Sequence, residues 1–355
     1  MRYFCKKSRF LFFLFLVLIL LLGYTLYFDT TGKSKQASIG GDSSLLRSRK
    51  SQRSGHTVAT VENHQAVKGH NTEKTQISSK ANVGEVPVFI TVKTGRTYHQ
   101  TRIPLLLQTW FNYAANETYF VTDTEDEDIS RQSGRHLIVS GCGDGHQRDA
   151  LCCKMGREFE LFYLFGKGKD WFCHVDDDNY LNVPSLVNLL SQFDPNKDVY
   201  VGKSSLGRTM SLHWEYKSIP AILTNASRSP FWFATGGAGF CISRHLSQRM
   251  QPYVQNGKLV QMCHFTGLPD DCTVGFLSEC VLGVPMTPSR LLHSHLEIQR
   301  VPVDQLKNHV TFSYGVLGKQ ETLIPVDGPF SKTEDPTRFK SYHCLLNPQV
   351  EWCPR

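Results

Sequence analysis

The sequence predicts an α/β domain with a mostly parallel, Rossmann-like sheet in residues 86–355, preceded by a transmembrane helix and a flexible stem. Three observations support this organisation. Short apolar runs of strand length alternate with helix-length segments after residue 86, which is the pattern of parallel sheets covered by helices. An uncharged run of 19 residues lies near the N-terminus, and a polar segment separates it from the domain.

The N-terminal run from Phe10 to Phe28 carries no charge, and as a helix it rises about 28 Å, enough to cross a bilayer core. Four basic residues precede it, so the positive-inside rule predicts a cytoplasmic tail at 1–9, a signal-anchor at 10–28 and a luminal remainder. A cleaved signal peptide is the alternative. The length of the run and the absence of an A-x-A-like cleavage site favour the anchor of a single-pass type II membrane protein.

Residues 29–85 are rich in Ser, Thr, Gln, Lys and Gly and are predicted to be a disordered luminal stem. The basic cluster RSRK within it is interpreted as a solvated charge run, with a processing site that releases the domain as the alternative. The net charge of +7 arises before residue 86, because 26 basic groups face 27 acidic groups in 86–355. A nucleic-acid partner is therefore not expected.

The domain begins with a pattern of alternating strands and helices. The predicted strands are Val86–Lys93, Glu117–Asp123, His136–Ser140 and Asp170–Val175, and the predicted helical segments are Ile103–Phe111 and Asp149–Phe165. In parallel sheets, ligand-binding groups collect just beyond the carboxyl ends of the strands. Polar residues that follow these strands are therefore the first candidates for a site.

Three consecutive carboxylates follow the last of these strands, in the segment WFCHVDDDNY. Asp176, Asp177 and Asp178 repel one another unless a cation or several hydrogen-bond donors neutralise them. Mn²⁺ and Mg²⁺ prefer oxygen ligands and also bind diphosphates, so the pattern is typical of a site for a metal ion and a nucleotide sugar. A solvated turn or helix cap is the alternative, and the apolar strand before the acids favours binding.

Glycines follow an aromatic run in the segment FWFATGGAGF. Because Gly236 and Gly237 have no side chain, the backbone can approach a ligand closely, and both are predicted to bind the donor. The alternative is a bulged strand in the core, and the spacing is not that of a P-loop.

Two further segments supply candidate catalytic and metal-binding groups. LPDDCTVG is predicted to begin a helix that Asp270 or Asp271 caps, which leaves the other acid available as a general base. LHSHL is predicted to be extended, so that His293 and His295 lie on the same side of the chain and form a metal site.

Cysteine usage predicts an oxidising compartment, since ten of the eleven cysteines follow the anchor and none forms a C-x-x-C pair. Short spacings predict disulfides between Cys344 and Cys353, between Cys142 and either Cys152 or Cys153, and between Cys272 and Cys280. The sequons at Asn116 and Asn225 are candidate N-glycosylation sites of a secretory-pathway protein.

The segments HVDDDNY, FWFATGGAGFCIS, LPDDCTVG and HSHLE, in this order, resemble the fringe glycosyltransferases. VFITVKTGRTYHQTR near residue 90 and the tail SYHCLLNP…EWCPR are similar too, so the resemblance covers most of 86–355. It implies a GT-A fold and an inverting β-1,3-N-acetylglucosaminyltransferase that uses UDP-GlcNAc and Mn²⁺. The implied acceptor is O-linked fucose on EGF-like repeats, notably those of Notch receptors, and the implied location is the Golgi membrane.

The resemblance also implies roles for individual residues. Asp178 and His295 are expected to ligate Mn²⁺, and Asp271 is expected to be the catalytic base. The donor nucleotide sugar is expected to contact Arg102, Asp176 and Asp177. The sequence departs from the family after Arg102, where it has Ile-Pro in place of the usual Leu and acidic residue.

Two alternative functions remain. One is an enzyme that uses a different sugar donor, and the other is a protein without catalytic activity. A β-1,3-galactosyltransferase of the core-1 type would share the fold and the acidic motif. A secreted, non-catalytic protein that binds receptor ectodomains would use the acids and histidines only for a structural ion. The complete set of Asp177, Asp178, Asp271 and His295 favours an enzyme, since a binding module does not need all four.

Overall fold

The computed structural model describes residues 87–212, 223, 226, 230–297 and 300–355. The predicted tail, anchor and stem and the sequon at Asn225 lie outside the described residues. Among the residues it describes, no helix is long and apolar enough to cross a membrane. The other sequon residue, Asn116, is exposed in the turn before the second strand.

A mostly parallel sheet of seven strands, in the order β3-β2-β1-β4-β7-β6-β8, forms the centre of the described part of the chain. Its strands are β1 (Val88–Lys93), β2 (Thr118–Thr122), β3 (Leu137–Val139), β4 (Trp171–Asp176), β6 (Tyr200–Gly202), β7 (Phe240–Ser243) and β8 (Thr287–Pro288). Strand β1 is parallel to β2 and β4, β2 to β3, and β6 to β8, whereas β7 is antiparallel to β4 and β6. The predicted α/β class with a mostly parallel sheet is confirmed.

Helices connect the strands and cover both faces of the sheet. They are α1 (Ile103–Gln108), α2 (Glu127–Gln132), α3 (Arg148–Phe165), α4 (Val183–Leu190), α5 (Arg244–Val254), α6 (Lys258–Thr266), α7 (Asp270–Phe276) and α8 (Phe339–Leu346). Two small antiparallel pairs complete the fold: β5 (Asn179–Leu181) with β9 (Thr311–Ser313), and the hairpin of β10 (Gly315–Leu317) with β11 (Gln320–Thr322). The four strands and two helices predicted from the sequence are all present, and no bound differs by more than three residues.

The core has two layers because residues alternate along the central strands. In β1, Val88, Ile90 and Val92 pack into an apolar cluster with α1 and α4, and Phe89 packs into a second cluster with α3, α5 and α6. A strand buried on both faces is apolar along its whole length. This is why β1 and β4 could be recognised from the sequence as continuous apolar runs.

The described residues contain four disulfides, two between neighbouring segments and two between distant ones. Two follow the short-spacing prediction, Cys142–Cys153 and Cys344–Cys353. The other two, Cys152–Cys263 and Cys173–Cys241, were not predicted, because their partners are 111 and 68 residues apart in sequence. Cys173 and Cys241 are directly paired across the antiparallel strands β4 and β7, with their Cα atoms 4.1 Å apart.

The predicted bridge between Cys272 and Cys280 is wrong. Cys272 lies in α7, and Cys280 lies in the π-helix Leu277–Val281 that continues it. Eight residues of continuous helix rise about 12 Å, whereas a disulfide requires Cα atoms within about 7 Å. Both side chains are buried and neither is in a disulfide.

Candidate active site

The acidic triplet lies where two central strands end side by side. Lys93, the last residue of β1, is in register with Asp176, the last residue of β4. Asp177 and Asp178 form the turn into β5 and are 3% and 6% exposed. The apolar strand therefore delivers three carboxylates to the carboxyl edge of the sheet, next to a lysine.

A cavity of about 620 Å³ opens at this edge. Eight of the site residues predicted from the sequence line it: Arg102, Asp176, Asp177, Asp178, Gly236, Gly237, Asp271 and His295. Six aspartates but only three lysine or arginine side chains line this cavity. A cation that entered with a diphosphate would offset the repulsion between the diphosphate and this excess of carboxylates.

Asp176 is neutralised by buried cations that sequence reasoning missed. Lys93 Nζ lies 3.4 Å from Asp176 Oδ1 and 2.7 Å from Asp270 Oδ2. His174 is fully buried, with Nδ1 2.7 Å from Glu158 Oε2 and Nε2 3.5 Å from Asp176 Oδ1. Burial disfavours the charged imidazole, but the Glu158 carboxylate outweighs it and raises the pKa of His174 to about 9. Burial likewise opposes ionisation of Asp176, but Lys93 and His174 prevail and hold the pKa of Asp176 below its ordinary value.

Asp177 is held between Arg102 and Thr94. The Arg102 guanidinium donates to Asp177 Oδ1, and the Thr94 hydroxyl donates to Asp177 Oδ2 at 2.7 Å. Burial raises the pKa of Asp177, and Arg102 offsets part of that rise. The same guanidinium stacks on the ring of Tyr98 at 3.8 Å from its centre, and its Nη1 is 3.5 Å from Asp178 Oδ2. Arg102 is thus oriented toward the acids by an aromatic face.

The Ile-Pro departure that follows Arg102 fits the local structure. Ile103 is fully buried in the core cluster that covers β1. Pro104 stands in the first turn of α1, where its missing N–H would have no partner within the helix. Both residues therefore stabilise α1, the helix whose N-cap residue, Arg102, lines the cavity.

Asp178 faces His295 across the cavity wall. Asp178 Oδ2 is 3.6 Å from His295 Nδ1, a buried nitrogen that has no hydrogen-bond partner. Burial and the neighbouring carboxylates raise the pKa of Asp178 to about 7, which is the signature of a carboxylate short of positive charge. Burial lowers the pKa of His295 and favours its neutral, metal-binding form.

These two side chains fit a divalent metal ion. Among the described residues, no group of three or more His, Cys, Asp or Glu side chains is arranged to hold a metal. Ions such as Mg²⁺ do not need one, since they are commonly bound by one or two protein ligands, waters and the phosphates of a substrate. The unpartnered His295 nitrogen beside an electron-rich carboxylate supplies two such ligands.

His293 does not join His295, contrary to the predicted alternation. A turn at His295 breaks the extended chain, and His293 points into the core instead. There His293 Nε2 contacts His309 Nδ1 at 2.7 Å, and its Nδ1 contacts Glu297 Oε1 at 3.1 Å. Only His295 of the two histidines reaches the cavity.

Asp271 lies in the first turn of α7 and faces the glycine segment. The Gly236 N–H donates to Asp271 Oδ2 at 3.0 Å, and the Cys272 N–H donates to Asp271 Oδ1 at 2.7 Å. Burial and the adjacent Asp270 raise the pKa of Asp271. A Cβ atom on Gly236 would lie 3.3 Å from His174 Nε2, tighter than nearly all such contacts, so glycine brings this backbone close to both residues.

The predicted helix cap at this position is wrong. Pro269 is the N-cap residue of α7, and neither aspartate caps the helix. Asp270 instead accepts from Lys93 of β1. Asp270 therefore forms an ion pair instead of a helix cap, and Asp271 lines the cavity.

Sequence reasoning missed Lys93, Glu158 and His174. Lys93 carried a usable signal, because a charged residue that ends an apolar parallel strand lies at the ligand-binding edge. Glu158 and His174 lie within a helix and a strand that were recognised only by their apolar residues.

An acidic, ligand-sized cavity with a general-base candidate and a neighbouring carboxylate–imidazole pair is the candidate active site of an enzyme. Comparison with known proteins assigns the chain to a family. A family profile described as Fringe-like matches residues 84–350, so the chain belongs to the Fringe-like family.

Curated relatives give the same result. The chain is 45% identical over 269 residues to beta-1,3-N-acetylglucosaminyltransferase lunatic fringe of Danio rerio, covering 75% of this chain and 70% of that protein. It is 45% identical over 270 residues to the lunatic fringe enzyme of Homo sapiens, covering 76% and 69%. It is 45% identical over 269 residues to the manic fringe enzyme of Homo sapiens, covering 76% and 82%.

Proposed function

We propose that this chain is an inverting β-1,3-N-acetylglucosaminyltransferase with a GT-A fold. It transfers GlcNAc from UDP-GlcNAc to O-linked fucose on EGF-like repeats and so modulates receptors of the Notch type. Membership of the Fringe-like family and the names of the relatives support this activity. The observation that carries it is that Asp178, His295 and Asp271 line one acidic cavity large enough for a sugar nucleotide.

Asp178 and His295 would hold Mn²⁺ at the acidic end of the cavity. When bound, the ion neutralises the diphosphate and the charge that develops on the UDP leaving group. Asp177 and Arg102, paired with each other, flank the same end and orient the donor. Lys93 and His174 offset the charge of Asp176, which limits the repulsion between Asp176 and the diphosphate.

Asp271 would act as the general base. It takes the proton from the acceptor hydroxyl as that oxygen attacks the anomeric carbon, and a single displacement inverts the configuration. The raised pKa of Asp271 makes its carboxylate a stronger proton acceptor than an exposed aspartate. The Gly236 N–H donates to Oδ2 and the Cys272 N–H donates to Oδ1, so backbone groups fix the orientation of the carboxylate.

The proposed location is the Golgi lumen, with the chain held by the anchor predicted at 10–28 or released after stem cleavage. Four disulfides among the described residues support an oxidising compartment. Exposure of Asn116 is compatible with N-glycosylation there. Protease protection and glycosidase treatment of the full chain in isolated microsomes test both statements.

The activity is tested with the purified full chain and an O-fucosylated EGF-like repeat. UDP-GlcNAc and UDP-galactose are compared with Mn²⁺ present and after its removal by EDTA. We expect transfer of GlcNAc that requires Mn²⁺. Preferential transfer of galactose would assign the chain to the core-1-like alternative, and absence of transfer from both donors would favour a non-catalytic binding protein.

A further inference from the structure

Two exposed apolar side chains form part of the mouth of the cavity. Leu296 and Val316 both line it, yet they remain 53% and 62% exposed. Leu296 directly follows His295, and Val316 is the central residue of β10 in the β10–β11 hairpin. We call Leu296 and Val316 the rim patch.

The rim patch is fixed to the metal-binding segment. A Cβ atom on Gly315 would lie 2.8 Å from His295 Cβ, so this glycine lets the hairpin pack directly on His295. The Thr322 hydroxyl of β11 donates to the His295 carbonyl oxygen at 3.0 Å. Anything that docks on the rim patch is thereby held at a defined distance from the site of reaction.

The size of the cavity limits what can lie inside it. Cavities of about 300–1,000 Å³ hold one small-molecule ligand, and this cavity is about 620 Å³. A sugar nucleotide and the acceptor sugar account for such a volume. The polypeptide that bears the acceptor sugar must then lie outside, across the mouth, where the apolar surface is.

We propose that the rim patch is the docking surface for the polypeptide part of the acceptor, contacting apolar side chains next to the sugar-bearing residue. This inference rests on the proposed function and adds a specificity element to it. Burial of the two side chains by the acceptor removes apolar surface from water and favours a protein acceptor over a free sugar.

The experiment compares two acceptors with the purified full chain. One acceptor is a simple fucoside, 4-nitrophenyl α-L-fucoside, and the other is an O-fucosylated EGF-like repeat. The double variant Leu296→Ser/Val316→Ser is compared with Val303→Ser, which changes a 59% exposed valine in the 3₁₀ helix Val303–Asn308, outside the cavity. The conservative variant Val316→Ile tests whether apolar character is sufficient.

The measured quantity is kcat/KM for the repeat divided by kcat/KM for the simple fucoside. We expect the double variant to lower this ratio about tenfold, because the acceptor no longer buries a leucine and a valine side chain. Val303→Ser and Val316→Ile are expected to leave the ratio within about twofold of the wild type.

An unchanged ratio in the double variant would overturn the inference. If that variant also converts a dimer to a monomer in light scattering, the rim patch belongs to an interface between copies of this chain. A wild-type chain that is inactive on both acceptors would overturn the proposed function and this inference with it. Wild-type activity on both acceptors with an unchanged ratio would overturn the docking surface alone.

Discussion

Replacing Asp271 with Asn tests the general base with little change of shape. The amide oxygen of the introduced asparagine can still accept from the Gly236 N–H, which donates to Asp271 Oδ2 at 3.0 Å in the unaltered chain. Asn has the same number of heavy atoms as Asp, so the cavity wall is preserved. The substitution removes the capacity to accept a proton, together with the second acceptor oxygen, which binds the Cys272 N–H at 2.7 Å.

The size of the effect follows from the environment of the carboxylate. General-base assistance is worth about 10²–10⁴-fold in rate, or about 3–5 kcal/mol of activation free energy. Burial and Asp270 raise the pKa of Asp271 and so increase its basicity. We therefore expect Asp271→Asn to lower kcat by about 10²–10⁴-fold and to leave the affinity for UDP within about threefold.

The assay measures initial rates at saturating UDP-GlcNAc with an O-fucosylated EGF-like repeat, and UDP binding by calorimetry with Mn²⁺ present. Asp128→Asn is the control, because Asp128 is an exposed aspartate of α2 outside the cavity lining. A kcat within tenfold of the wild type would refute the assignment of Asp271 as base. So would a loss of UDP affinity as large as the loss of kcat, which would indicate a binding role.

Three further predictions concern the metal, pH and the disulfides. Asp178→Asn removes one proposed metal ligand. We therefore expect the Mn²⁺ concentration needed for half-maximal UDP binding to rise at least about 100-fold in titrations monitored by calorimetry. Glu158 raises the pKa of His174 from about 6.5 in the unfolded chain to about 9 in the folded chain. The protonated His174 therefore contributes its full stabilisation below pH 6.5, and this contribution is lost as the pH rises to 9. We expect that loss to be about 3 kcal/mol at most in the free energy of unfolding and to be absent in Glu158→Gln, measured by denaturant titration across this range. Cys152 and Cys263 close a loop of 111 residues, so the paired substitution by Ala should lower the free energy of unfolding by about 5 kcal/mol, checked by the same titration under oxidising conditions.

Most of the strands and helices could be predicted from the sequence, because each produces a pattern of apolar residues within its own segment. Strands β1 and β4 are buried on both faces, so their apolar runs were visible without knowledge of their neighbours. Helix α3 presents buried residues at helical spacing and was recognised to within one residue. The antiparallel insertion of β7 between β4 and β6 could not be predicted, because pairing partners are set by tertiary packing rather than by local pattern.

The same distinction explains the errors at the cysteines and histidines. Cys173 and Cys241 meet only because β4 and β7 pair in one register, and no spacing rule contains that information. Cys272 and Cys280 are near in sequence, but a continuous helix separates them. His293 points into the core because the extended chain ends in a turn at His295, a local detail that an alternation rule ignores.

The distribution of buried charge separates the acids of the cavity into two kinds. Asp176 and Asp270 share Lys93, and Asp177 has Arg102. Asp271 forms no ion pair with any described lysine, arginine or histidine, and backbone N–H groups hold it instead.

Among the described lysine and arginine side chains, only Arg102 forms an ion pair with Asp178, at 3.5 Å, and it also pairs with Asp177. The Asp178 carboxylate also accepts a hydrogen bond from the Ser313 hydroxyl, at Oδ1 and 3.1 Å. Its pKa is raised to about 7 and that of Asp271 is also raised, because burial is not matched by a cation at either position. Burial raises the pKa of Asp177 as well, but there Arg102 offsets part of the rise. A carboxylate in this condition gains most from a metal ion or a proton. The two acids left without a full partner are therefore the ones suited to hold the metal and to accept the proton, and the paired acids are suited to shape the cavity around them.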